Sequence, residues 1–121
     1  MAEGLIGILQ QPHGVVSTQK DEKEKLSYQW SYPNTWAPDN YLAFLALKKN
    51  GLLEEARTVA TCYMENVSQC YEKTGLLWEK YDGIEGGVSK KNEYEVPEML
   101  GWTGGVFEEF YRMKESFATT I

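Results

Sequence analysis

The chain has 121 residues, of which 42% are hydrophobic and 25% charged, a composition typical of one globular domain rather than a disordered tail. Its 12 basic and 18 acidic residues give a net charge of -6, which excludes a nucleic-acid partner because phosphate binding needs clustered lysines and arginines. No apolar run approaches the ~20 residues that span a bilayer, so we expect no membrane partner either.

The amino-terminal segment, residues 1–28, shows no sustained hydrophobic period and is predicted to be irregular, or at most a short broken helix. Its lysines, within residues 20–25, alternate with acidic residues, as is typical of a solvated loop. The short apolar run at the start has no basic flank before it and fits a signal peptide poorly.

The first clear helix is predicted to begin at Pro38, a residue suited to a first helical turn, and to end at Lys49. Asn50-Gly51 then supplies a left-handed stop. Because this link is so short, we expect the next helix to fold back as an antiparallel partner.

The second helix has the strongest periodic pattern in the chain and is predicted to end at Thr74-Gly75. Cys62 and Cys70 lie about 12 Å apart on it, at ~1.5 Å rise per residue, which is beyond disulfide reach. Two unpaired thiols, with the poor signal peptide, predict a cytoplasmic location. The apolar stripe consists of Leu53, Ala56, Ala60, Tyr63, Val67 and Cys70.

A third helix is predicted to start near Thr103 as its N-cap. Before it, residues 75–102 form a long connection rich in glycine, aromatic and acidic residues. Loops beyond about 12–15 residues are uncommon in compact domains unless they are functional or disordered, and the many apolar residues argue against disorder. We therefore expect the chemistry in this loop. The apolar side of the third helix carries Val106, Phe107, Phe110 and Met113.

The residue types present narrow the chemistry to carboxylates. The single histidine, His13, and the absence of a cysteine–histidine cluster argue against His-dependent nucleophiles and zinc sites. Asp82, Glu85 and Glu95 lack EF-hand spacing, so no metal and no cofactor is predicted. Carboxylates among aromatic rings remain, and glycosidic bond cleavage needs that combination.

Glu79 is the best candidate catalytic residue, because Trp78 and Tyr81 place bulky rings around it. In an alternative interpretation, Glu79 is a surface glutamate that pairs with Lys80. The sequence does not show where the Lys80 ammonium points. Glu93 is a second candidate with a similar alternative. Three tryptophans are candidate sugar platforms, although each alone is more typical of a core: Trp30, Trp36 and Trp102.

At these same residues the sequence resembles the trehalase family. Residues 29–38 read Q-W-S-Y-P-N-T-W-A-P, similar to the family signature Q-W-D-x-P-N-G-W-A-P. Residues 78–82, W-E-K-Y-D, look like its E-K-Y-D segment, and residues 93–94 with residues 101–106 resemble its closing E-Y and G-W-T-N-G-V. Three motifs in the family's order are far more specific than any one of them.

The resemblance implies an all-α fold, a partial (α/α)6 barrel. Residues 29–115 would be the carboxy-terminal part of an (α/α)6 glycosidase domain, and residues 116–121 a tail. Trehalases are inverting α-glucosidases that split α,α-trehalose into two glucose molecules. By its place in the motif Glu79 is the general base, Glu93 contacts substrate, and the general acid is an aspartate upstream of everything in this chain. Substrate contacts are also expected from Trp30, Trp36 and Trp102.

Departures from the family pattern lead us to expect a different sugar-binding loop. Ser31 replaces the signature aspartate, a charged run at residues 89–92 replaces a glycine-rich one, Pro97 stands where glutamine is common, and Gly104 replaces an asparagine.

We expect the isolated chain to be inactive, since its general acid and most of the barrel are missing. The expected partners are a disaccharide or other α-glucoside, and either the missing part of the barrel or a second copy. Two alternatives stay open. In the first, the chain is a non-catalytic truncated remnant or interaction module that keeps sugar-facing aromatic residues. In the second, it is a freestanding helical binding domain unrelated to sugars.

Overall fold

The computed structural model describes residues 2–23, 28–90 and 93–119. Residues 24–27 of the predicted amino-terminal segment, residues 91–92 of the charged run and residues 120–121 of the tail lie outside these ranges. The elements in chain order are α1 (Ala2–Leu9), β1 (Gln10–Gln11), β2 (Gly14–Val15), β3 (Asn34–Trp36), α2 (Ala37–Lys49), α3 (Leu53–Thr74), β4 (Lys80–Asp82) and α4 (Gly101–Thr119).

Helices α2 and α3 form the predicted helical hairpin. Pro38 lies in the first turn of α2, and Gly51 turns the chain with a φ of 77°, a conformation that favours glycine. α3 ends where predicted, at Thr74, because Gly75 adopts the left-handed conformation with a φ of 72°. The Gly75 N–H donates to the carbonyl of Tyr71 at 2.7 Å and closes the last turn.

The core lies where α4 packs across this hairpin. Phe110 of α4 is fully buried, with its ring edge-on to Phe44 of α2 at 5.2 Å and to Tyr63 of α3 at 6.3 Å between centroids. The predicted α3 stripe is buried except for Leu53, which is 46% exposed because it borders an open groove. Three further α3 residues are buried as well: Val59, Met64 and Asn66.

The all-α prediction is wrong in one respect, since two small antiparallel sheets are present. β1 pairs with β2, and β3 pairs with β4 in a register that sets Trp36 opposite Lys80 and Thr35 opposite Tyr81. Strands of two or three residues are too short to show a period-two pattern, so no sequence pattern predicts them. The β3–β4 ladder brings the first and second family-like motifs side by side.

Both ends of the chain are more regular than predicted. The amino-terminal segment contains α1 and the β1–β2 hairpin, and Val16 pairs with Thr35 of β3. α4 begins at Gly101, so Thr103 is not its N-cap but lies inside the helix, where its hydroxyl donates to the Trp78 carbonyl at 2.7 Å. Among the described helices, none has both the length and the apolar character needed to cross a bilayer.

Candidate active site

The long connection is folded back on itself around Glu79. The Glu79 N–H donates to the Pro97 carbonyl at 3.0 Å, and the Met99 N–H donates to the Leu77 carbonyl at 3.0 Å. Together with the Thr103 hydroxyl on the Trp78 carbonyl, these bonds tie the segment to the later loop and to the start of α4. The Glu79 backbone is therefore fixed on both sides by residues distant in the sequence.

The Glu79 carboxylate is mostly enclosed, with its side chain 13% exposed. One of its oxygens, Oε2, accepts the Tyr94 hydroxyl at 2.5 Å and lies 4.0 Å from Lys80 Nζ. Burial first, and then the bond to Glu79, raise the pKa of Tyr94 to about 12, so its phenol remains a donor at neutral pH. No described residue donates a hydrogen bond to the other oxygen, Oε1.

Lys80 resolves the ambiguity that the sequence left open. Its side chain is fully buried, and its ammonium lies 4.3 Å from the ring centroid of Tyr94 and 5.1 Å from that of Trp36. Burial lowers the pKa of Lys80, whereas the charges of Glu79 and Glu93 raise it. The ammonium thus points toward Glu79, but the pair is not the surface pair of the alternative interpretation.

The three predicted tryptophans form one cluster. Trp30 stacks on Trp36 with centroids 3.8 Å apart and planes within 6°, and Trp102 meets both edge-on at 6.4 Å and 5.7 Å. Trp36 is only 1% exposed, whereas Trp30 and Trp102 are 39% and 37% exposed. The ring surface open to a ligand therefore belongs to Trp30 and Trp102, whereas Trp36 packs against one face of the Trp30 ring.

The first family-like motif holds this cluster in place through one carbonyl. Gln29 accepts hydrogen bonds from Trp36 Nε1 at 2.9 Å and from Asn34 Nδ2 at 3.1 Å. Asn34 is fully buried, and its side-chain oxygen accepts the hydroxyl of Ser89 from the middle of the long connection. The Asn and Trp of the motif thus have a structural reason to occur together, whereas Gln29 contributes only its backbone carbonyl.

Two departures from the family pattern lie close to this site without disturbing it. Ser31 closes a local turn, since its hydroxyl donates to the Tyr28 carbonyl at 2.8 Å and accepts the Tyr28 N–H at 2.8 Å. Pro97 supplies only its carbonyl to Glu79, a contact that any residue can make.

The predicted site residues thus come together, although their catalytic and binding roles stay predictions. Glu93 is exposed, and its charge acts on both Lys80 and Tyr94. Sequence reasoning missed Tyr94, which stood in the E-Y motif without a role. Its place directly after a candidate substrate-binding glutamate was the only available sign. Within residues 2–23, 28–90 and 93–119, no group of three or more His, Cys, Asp or Glu side chains is arranged to hold a metal ion.

Comparison with known proteins decides the family. The trehalase family model matches residues 5–114. The chain belongs to the trehalase family. It is 31% identical over 114 residues to the periplasmic trehalase of Pseudomonas aeruginosa, covering 93% of this chain and 20% of that protein. It is 35% identical over 102 residues to the periplasmic trehalase of Escherichia coli strain K12, covering 81% of this chain and 17% of that protein.

The fold is similar to that of a solved trehalase as well. The neutral trehalase from Saccharomyces cerevisiae matches with a TM-score of 0.71 and 22% identity, over 93% of this chain and 19% of that one. The chain therefore spans about a fifth of the length of the trehalases that it matches.

The predicted cytoplasmic location is wrong. Both bacterial relatives named above are periplasmic trehalases. The prediction failed because Cys62 and Cys70 both lie on α3, where helix geometry keeps them apart in any compartment. The start of a chain that spans a fifth of its relatives also says nothing about a leader sequence.

Proposed function

We propose that this chain forms part of an inverting α-glucosidase that hydrolyses α,α-trehalose, with Glu79 as its general base. The observation that carries the proposal is the asymmetry of the Glu79 carboxylate. Oε2 is held by Tyr94 and faces Lys80, whereas Oε1 has no partner among the described residues. A general base needs an oxygen that can accept a hydrogen bond from the water that it activates, and the lack of a described partner on Oε1 supports that role.

In the proposed reaction Glu79 accepts a proton from water as the water oxygen bonds to the anomeric carbon. The glycosidic C–O bond breaks on the opposite face, and an acid outside this chain protonates the departing oxygen. Inversion keeps the two carboxyl groups about 6.5–9.5 Å apart to leave room for the water. The open rings of Trp30 and Trp102 would lie against the pyranose C–H groups, and Glu93 would bond sugar hydroxyls.

The uncovered apolar surface supports an assignment of residues 29–115 to a larger (α/α)6 barrel. An open groove of about 730 Å3 runs between α3, α4 and the start of the long connection, and Leu100 at its edge is 80% exposed. A second groove of about 310 Å3 lies between α1 and α2. Apolar grooves of this size are typically covered by further helices. The rest of a trehalase barrel would supply them, and a second copy of the chain is the alternative source.

A periplasmic location belongs to the same proposal, since both bacterial relatives are named for that compartment.

The test is a chimeric trehalase in which this chain replaces the matching segment of the Pseudomonas aeruginosa enzyme. We expect the chimera to release glucose from trehalose and Glu79→Gln to lower its kcat by about 10²–10⁴-fold or more, because the amide cannot accept the proton. The isolated chain is expected to show no turnover, since it lacks the acid.

Glu95→Gln is the matched control, because Glu95 is an exposed carboxylate in the same loop. Its kcat should stay within about twofold of the parent, as expected for a surface substitution. A Glu79→Gln chimera as active as the Glu95→Gln chimera would remove Glu79 from its role. A chimera that binds trehalose without hydrolysing it would favour the remnant alternative.

A further inference from the structure

Lys80 is a buried cation with no evident structural reason to be charged. Its side chain has no exposed surface, and its ammonium finds no hydrogen-bond partner among the described residues. Burying an ammonium is costly unless hydrogen bonds replace those it made with water. A methionine or leucine would fill the same space without that cost, so the charge itself calls for an explanation.

The surroundings of Lys80 keep the ammonium in one place. β4 pairs with β3 so that Lys80 lies directly opposite Trp36, and the Trp36 and Tyr94 rings face the ammonium at 5.1 Å and 4.3 Å. Cation–π attraction to two rings offsets part of the lost hydration. The side chain is thus held by one residue from the first family-like motif and one from the third.

The same arrangement places the ammonium against the proposed general base. Lys80 Nζ lies 4.0 Å from Glu79 Oε2, the same oxygen that accepts the Tyr94 hydroxyl. Glu93 also acts on Lys80 through its charge. Among the described residues, the titratable groups that act on this ammonium are therefore Glu79 and Glu93 through their charges and Tyr94 through its ring.

We propose that Lys80 is a positioning residue for hydrolysis. Its buried ammonium attracts Oε2 of Glu79 and so orients Oε1 toward the attacking water. This inference rests on the proposed function of Glu79. Because Lys80 is fully buried, it does not touch substrate itself. It acts by holding the Glu79 carboxylate in one orientation, since the positive charge 4.0 Å from Oε2 attracts that oxygen.

The experiment measures kcat, KM and the melting temperature for Lys80→Met in the chimeric trehalase. Methionine is close to lysine in length and removes only the charge. We expect kcat to fall by about 10- to 100-fold, as for a misplaced catalytic group, while KM changes by less than about threefold.

The melting temperature separates this role from a structural one. Removing this ammonium should change the melting temperature little, because the cost of burying it without hydrogen bonds offsets its attraction to Glu79 and to the two rings. A residue needed only for packing would behave in the opposite way, with lower stability and a kcat close to the parental value. If methionine prevents folding, Lys80→Gln gives the same readouts with a neutral polar side chain.

Two further variants complete the design. Lys80→Arg keeps the charge, so its kcat should lie between that of Lys80→Met and that of the parent, since the larger guanidinium fits the same space less well. Lys20→Met is the matched control, since Lys20 is an exposed lysine outside the long connection that lies 3.2 Å from Glu22. It should leave every readout unchanged.

A parental kcat in Lys80→Met would overturn the inference, as would equal kcat values for Lys80→Met and Lys80→Arg. Glu79→Gln, measured alongside, keeps the two proposals distinguishable. If Glu79→Gln is inactive while Lys80→Met is fully active, only the role of Lys80 is lost. If Glu79→Gln is fully active, the proposed function itself fails.

Discussion

The α2–α3 hairpin and the long connection that follows it are stabilised in different ways. The hairpin buries apolar side chains at regular helical spacing, with Phe44, Val59 and Tyr63 almost fully enclosed. The connection instead depends on polar contacts between residues distant in the sequence, such as the Thr103 hydroxyl on the Trp78 carbonyl. It also buries Lys80 without a hydrogen-bond partner among the described residues.

This difference indicates which region provides stability and which provides chemistry. A packed helix pair gains stability from each buried side chain, and a cavity between its side chains lowers the free energy of unfolding. A loop that buries a charge beside a carboxylate sacrifices stability, which is typical of functional sites. Substitutions in the hairpin should therefore change the free energy of unfolding, and substitutions at the loop residues around the Glu79 carboxylate should change the rate.

The largest expected effect on stability is that of Phe44→Ala in the hairpin. Phe44 is 3% exposed and packs edge-on to Phe110 at 5.2 Å, so alanine leaves a cavity at the junction of α2 and α4. We expect the free energy of unfolding to fall by about 3–5 kcal/mol, measured by urea denaturation of the isolated chain. Leu42→Ala, at a 63% exposed position of the same helix, should cost less than about 0.5 kcal/mol.

Equal losses in these two variants would contradict the division between the regions. Such a result would mean that the hairpin is not held by the core around Phe110.

The same division explains what sequence reasoning reached and what it missed. The end of α3 at Gly75 was predictable because it depends on local backbone preference. The burial of Asn66 was not, because its amide satisfies the Gly87 N–H and the His13 carbonyl, which only the folded chain brings near. Glu79 could be named from its motif, but the pairing of Lys80 with Trp36 depends on a three-residue strand ladder without a local pattern.

The next largest effect is expected at Tyr81, where the loop meets the hairpin. Tyr81 is fully buried, its ring lies edge-on to Tyr63 at 6.0 Å, and burial raises the pKa of Tyr81 to about 12. Because this folded-state pKa exceeds the unfolded value of about 10, its stabilising contribution is intact below pH ~10 and is lost as pH rises toward ~12. Two pH units correspond to about 2–3 kcal/mol.

Urea denaturation of the isolated chain between pH 9 and about 12 tests this, with Tyr81→Phe as the variant that removes its share of the slope. The pKa of Tyr63 is also raised by burial, so part of the alkaline loss should remain in Tyr81→Phe. Lys80 acts in the opposite sense, since its lowered pKa makes stability rise with pH up to about 10.4. An identical pH dependence in parent and variant would show that Tyr81 ionises freely in the folded chain.

A smaller effect, and one confined to rate, is expected from Tyr94→Phe. Tyr94 is 40% exposed and its hydroxyl donates to Glu79 Oε2 at 2.5 Å, so phenylalanine keeps the ring beside Lys80 and removes one anchor of the carboxylate. We expect kcat of the chimeric trehalase to fall about 10-fold through looser positioning. The free energy of unfolding should change by less than about 0.5 kcal/mol, as for other surface positions.

Tyr71→Phe, at a 54% exposed position on α3, is the control and should change neither quantity. If Tyr94→Phe destabilised the chain as strongly as Phe44→Ala while leaving kcat intact, the loop would be a structural element like the hairpin.

The smallest effect is expected at Gly75, where the hairpin ends and the loop begins. Its φ of 72° is strained for any residue with a Cβ, so Gly75→Ala should lower the free energy of unfolding by about 1 kcal/mol although an added Cβ meets no atom within 4 Å. Gly105→Ala is the matched control, since Gly105 lies within α4, has no positive φ and has equally open space around it. There alanine should raise stability by about 0.4–1 kcal/mol, because it narrows the unfolded ensemble without strain. If urea denaturation gives changes of opposite sign in the free energy of unfolding of the two variants, backbone conformation rather than packing determines the effect at Gly75. A loss of stability in both variants would contradict that conclusion.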